Sequence, residues 1–193
     1  MVNTARVRDD PGAPRSSRDE RHRFDTVPIL ETRDVKGRRW VRVGASAWLD
    51  ASYLRIPEPT APPPEVRSGE RWLDVDLANQ VVTAYEGDRP VYATLASTGL
   101  GRGSDPTATP LGVHRVWVKL RTSDMTNLED EQALHYYAME EVPWVLFCQN
   151  GDGCHGAVWH RSFGHVRSHG CVNLTPLDAE HLFRWASPHL PRG

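Results

Sequence analysis

Residues 73–99, LDVDLANQVVTAYEGDRPVYATLASTG, decide the fold class. From Trp72 to Leu77 apolar and acidic side chains alternate, the period-2 pattern of a half-buried strand. Ala78-Asn79 turns the chain, and Gln80 to Tyr85 forms a partner strand. Gly87-Asp88 then turns it into Val91 to Leu95. Short strands joined by tight turns make a β-meander. Ser97-Thr98-Gly99 and the stretch to Thr109-Pro110-Leu111-Gly112 form an irregular loop. Val113 to Leu120 and Val142 to Phe147 return to strand. Between them, polar Arg121 to Glu141 is expected to hold a short helix around Glu129 to Tyr137. One clear helix closes the domain. Thr175 can cap it, Pro176 takes the favoured first position and Asp178 completes a capping-box-like pair. Ala179, Leu182, Phe183 and Ala186 follow at i, i+3, i+4 and i+7 and share one buried face. The expected fold is mostly β, a meander or sandwich with a short C-terminal helix.

Upstream, the proline-rich segment 57–69 (PEPTAPPPEVRSG) marks the clearest boundary and should run extended. Before it, 25–56 contains Trp40, Val41 and Val43 after the turn Lys36-Gly37, then Trp48, Leu49, Tyr53, Leu54 and Ile56 after Gly44. Short β-runs between tight turns suggest a small barrel. The segment is similar to the SH3-like β modules found beside bacterial cell-wall enzymes, and an extra hairpin on the main domain is the alternative. Residues 1–24 have almost no apolar periodicity and are expected to form a disordered arm. The main domain then spans 70–193.

A chain of 193 residues accommodates such a domain with a small companion. Its formal charge of −2 provides no field to recruit nucleic acid or anionic membrane. No apolar run reaches the roughly 18–20 residues of a membrane-spanning helix. Met1 to Arg23 lacks the apolar core of a secretory signal, so either the protein stays in the cytosol or its export segment lies outside this chain.

The chemistry lies in Cys154-His155-Gly156-Ala157-Val158-Trp159-His160 and Ser168-His169-Gly170-Cys171-Val172-Asn173. A cysteine attacks as its thiolate and needs a neighbour to take its proton. Histidine is the usual partner, its second nitrogen held by a carbonyl or polar side chain. Cys171 is read as lying immediately before the capped helix, whose positive amino end would favour a thiolate. Gly170 lets the backbone turn sharply and expose N–H groups, as an oxyanion hole requires.

His155 followed by Ser168-His169-Gly170-Cys171-Val172-Asn173 resembles the catalytic signature of the L,D-transpeptidases. Ser168 comes thirteen positions after His155, at the short end of the family's spacing. The strands from Leu73 onward and the Ser97-Thr98-Gly99 and Thr109-Pro110 loops are similar too, so the resemblance runs from about Glu70 to Pro188. It implies a thiol acyltransferase that requires no cofactor or metal and acts in the cell envelope on peptidoglycan tetrapeptide stems, as donor and acceptor. Carbapenems would be its inhibitors. By the same resemblance, Cys171 attacks the carbonyl before the terminal D-alanine, and His155 takes the thiol proton. Gly156 orients His155, and the N–H groups of His169, Gly170 and Cys171 hold the oxyanion. Ser168, Asn173 and Trp159 face substrate, and Arg121 to Glu141 occupies the place of the family's lid. A second stem's amine would resolve the thioester into a 3→3 cross-link.

Alternatives remain. His160, His165 and His169 lie close in sequence and one of them could serve as base, His169 being the obvious rival. Water could replace the amine and make the protein an L,D-carboxypeptidase. A non-catalytic wall-binding protein would have no need of a Cys171/His155 pair. Cys148 and Cys154 flank a strong hairpin turn and could form either a disulfide or two buried thiols. The many nearby histidines lack structural-zinc spacing. Ser97 and Thr98 have no base beside them and suit a turn.

Overall fold

The structure, a computed structural model, describes residues 4–13, 19–127, 136–149 and 151–186. It divides into two compact units, Met1–Ile56 and Pro57–Gly193.

In the first unit, β1 (Thr4–Arg6) pairs antiparallel with β2 (Glu20–His22). The segment expected to be a disordered arm therefore contributes strands. The reason is packing: Val7, only 2% exposed, joins Val41, Val43 and Leu49 in a core. β3 (Glu31–Val35), β4 (Arg38–Gly44) and β5 (Ala47–Asp50) form a three-stranded antiparallel sheet. Backbone bonds between Arg8 and Trp48 tie the amino-terminal segment to β5. Trp40 and Trp48 are both buried, and Arg8 and Arg33 lie over their respective rings.

The second unit begins with the meander of β6 (Arg71–Asp76), β7 (Val81–Glu86) and β8 (Arg89–Leu95). Trp72 stands opposite Tyr85 in the β6–β7 register, and their rings stack 4.3 Å apart. Such cross-strand aromatic pairs fix register. A second sheet has the order β12-β11-β10-β9. It comprises β9 (Val118–Thr126), β10 (Ala138–Gln149), β11 (Asp152–Gly156) and β12 (Val172–Leu174). β9 starts and ends later than its own pattern suggests, because pairing with β10 extends it through polar Arg121 to Thr126. The expected helix around 129–137 falls mainly outside the described residues.

The closing helix α1 runs from Pro176 to Trp185, with Thr175 Oγ1 accepting the Asp178 N–H at 3.2 Å. Ala179 and Leu182 bury against Val82, Ala84, Leu146, Val172 and Leu174, joining both sheets in one core. Tyr92 on β8 donates its hydroxyl to Asp178 at 2.6 Å, and Lys119 on β9 donates to the last carbonyls of the helix. The helix is thus held at both ends.

Candidate active site

β11 and β12 run parallel, with Cys154 opposite Val172 and His155 opposite Asn173. This pairing brings two segments distant in sequence side by side and leaves Cys171 at the mouth of β12, next to Gly153. The helix does not act on the thiol. Three residues of strand, about 10 Å of extended chain, separate Cys171 from the cap, and the dipole effect fades within a helical turn.

His155 is 1% exposed. Its Nδ1 lies 3.2 Å from the Gly156 carbonyl oxygen, which can only accept, so Nδ1 carries the proton and Nε2 keeps its lone pair. Burial lowers its pKa to about 4, so the imidazole is neutral at pH 7. Trp159 lies against it, ring centres 5.8 Å apart, and is 42% exposed. His169, by contrast, is exposed and stacked beside Tyr137 at 5.9 Å.

The Cys171 thiol donates to Asp152 Oδ1 at 3.8 Å rather than to His155. Burial first, and the Asp152 charge second, push its pKa up to about 12, against a smaller opposing pull from the Gly153 N–H. Burial therefore favours the thiol at Cys171 and the neutral imidazole at His155. Asp152 was legible only as a hairpin-turn residue. A bulge in β10 between Phe147 and Gln149 brings it into register with Gln149, and its carboxylate lies beside the Cys171 thiol.

The loop before Cys171 is fastened from several sides. Ser168 Oγ donates to the Cys171 carbonyl and accepts the Gly170 N–H at 3.3 Å. One of the three N–H groups expected at the oxyanion is thus bonded within the loop. Thr109 Oγ1 donates to the Gly170 carbonyl at 2.7 Å and accepts the Gly99 N–H at 2.8 Å, joining two distant loops to the site. Gln80 bonds Thr98 through both amide atoms, at 2.6 and 2.8 Å. Gly170 has φ +136°, a conformation that favours glycine, and a Cβ there would come within 2.5 Å of Asp152 Oδ1.

Asn173 places its amide 3.0 Å from His160 Nε2. His160 Nδ1 accepts the Ser162 N–H at 3.1 Å, so Nε2 holds the ring proton and is satisfied when the amide oxygen faces it. His160, the last residue of the stretch singled out in the sequence, thus lies against Asn173. No disulfide joins Cys148, Cys154 or Cys171. Among the described residues, no three histidine, cysteine, aspartate or glutamate side chains converge as metal ligands.

The family model for YkuD, the L,D-transpeptidase catalytic domain, matches residues 70–191. The chain belongs to the L,D-transpeptidase family. No match is found among curated proteins. Among solved structures, an Enterococcus faecium L,D-transpeptidase aligns at 24% identity and TM-score 0.51 over 61% of this chain and 46% of its own. The chain thus spans about half the length of that relative. An L,D-transpeptidase in complex with imipenem aligns at 20% identity and TM-score 0.55, covering 77% of this chain and 73% of its own. One from Mycobacterium smegmatis aligns at 20% and 0.52, covering 83% and 78%. At these identities the likeness establishes the L,D-transpeptidase fold.

Proposed function

We propose that this L,D-transpeptidase domain forms 3→3 cross-links between peptidoglycan stems through a thioester on Cys171. The observation that carries the reading is the β11–β12 register, which brings a buried, neutral His155 beside the strand that opens at Cys171. The Nδ1–H bond to Gly156 leaves Nε2 free to take a proton.

The thiol adds to the carbonyl before the terminal D-alanine of a tetrapeptide stem as His155 accepts its proton. N–H groups of the Ser168–Cys171 loop hold the oxyanion, and the proton passes from His155 to the departing D-alanine amine. An amine of a second stem then attacks the thioester and restores the thiol. The buried position of His155 supports it over exposed His169 as the base. Trp159, at the edge of His155, is the proposed wall of the donor groove, and Asn173 braces the site through His160. Such substrates place the protein in the cell envelope, with the amino-terminal unit as an SH3-like companion that engages the wall.

The test incubates the protein with imipenem and, separately, with disaccharide tetrapeptides, reading both by mass spectrometry. A carbapenem adduct that Cys171→Ala abolishes, together with muropeptide dimers, is the expected result. Tripeptide without dimer would make the protein a carboxypeptidase, and unchanged substrate would leave a wall-binding role.

A further inference from the structure

We propose that Asp152 is the acceptor-side base, a carboxylate that binds the ammonium of the incoming stem and takes its proton before the amine attacks the thioester. This rests on the transpeptidase reading above. Asp152 Oδ1 lies 3.8 Å from Cys171 Sγ, the atom that carries the acyl group. The acyl carbon is one bond from that sulfur, so a nucleophile held by the carboxylate is within reach of it. Glycine at 170 provides the room, since a Cβ there would collide with the same oxygen.

The order of events follows from hydrogen-bonding capacity. In the free enzyme Oδ1 accepts the thiol proton. Acylation replaces that S–H with S–C, and a half-buried carboxylate loses its donor. An ammonium arriving at that moment satisfies it, whereas water brings no charge. The amine of a diamino-acid side chain, with an intrinsic pKa of about 10.4, is protonated at pH 7 and cannot attack until it loses a proton. Burial raises the Asp152 pKa, which makes the carboxylate a stronger base, while the thiol and His114 pull the other way.

The step balances. The ammonium gives one proton to Asp152, and the free amine adds to the thioester carbon. A second N–H proton passes to His155, the C–S bond breaks, and the sulfur takes that proton back. An amide and a thiol remain, and Asp152 releases its proton to solvent.

The test compares full-length wild type with Asp152→Asn using three probes: imipenem, disaccharide tetrapeptide, and tetrapeptide with hydroxylamine, a nucleophile already neutral at pH 7. Since all three products come from one thioester, its partition is the readout: the dimer-to-hydroxamate ratio should fall at least about tenfold in the variant, with tripeptide taking the place of dimers, whatever the change in acylation rate. A dimer-to-hydroxamate ratio within about threefold of wild type would overturn the proposal. Should Asp152→Asn take no imipenem, Asp152→Ser runs the same comparison. Loss of the adduct in both would assign Asp152 to acylation or folding and end the proposal. A wild type that yields tripeptide but never dimer also ends it while leaving the thioester chemistry standing. A wild type inert to imipenem and tetrapeptide sinks the underlying reading instead.

Discussion

At the scale of single residues, burial favours the neutral forms of both His155 and Cys171. Burial moves the imidazole down to about 4 and the thiol up to about 12. Burial thus works against a resting thiolate–imidazolium pair. The imidazole's depressed pKa has a consequence for stability. The unfolded chain binds a proton at about 6.5 and the folded one only at about 4, so folding is favoured above that window and weakens as pH falls through it. The loss is of order 3 kcal/mol. Urea unfolding at pH 7 and pH 4 should show it in wild type, and His155→Gln should lack that component. An equal acid loss in both proteins would contradict the assignment.

Among the elements, α1 has the largest mechanical role, since it closes one core over two sheets. Its start was legible because Thr175-Pro176 and Asp178 are local signals that need no tertiary partner. Its inner face was legible from spacing alone, and Leu182 is fully buried there. Leu182→Ala should cost about 2–5 kcal/mol of unfolding free energy and release the support under β10, β11 and β12. A denaturation midpoint within error of wild type would show that the helix merely covers the sheet. β9 and β10 were less legible. Val118–Thr126 is strand because β10 supplies its hydrogen bonds, and its polar half carries no alternation to announce it. The bulge between Phe147 and Gln149 has no local signal either, yet it sets the register of Asp152, whose carboxylate lies beside the thiol.

For the whole molecule, the boundary after Ile56 separates two units with separate apolar clusters. The larger contains every residue assigned to chemistry. A chain of residues 57–193 should therefore fold cooperatively and form the imipenem adduct at a rate within about threefold of the full-length protein. Loss of the adduct in a folded fragment would mean that the first unit completes the site.

The sequence alone determined that the protein is mostly β with a late capped helix, and it singled out Cys171 and the histidines near it as the candidate site. Both follow from short-range information: alternation, turn residues, a cap and a contiguous motif. Only the tertiary structure decided which histidine is buried, that the helix stands too far away to ionise the thiol, and that Asp152 is the group touching Sγ. It also drew residues from the amino-terminal arm into a sheet. These outcomes depend on strand register, a bulge and desolvation, which arise from contacts between distant segments and leave no local trace.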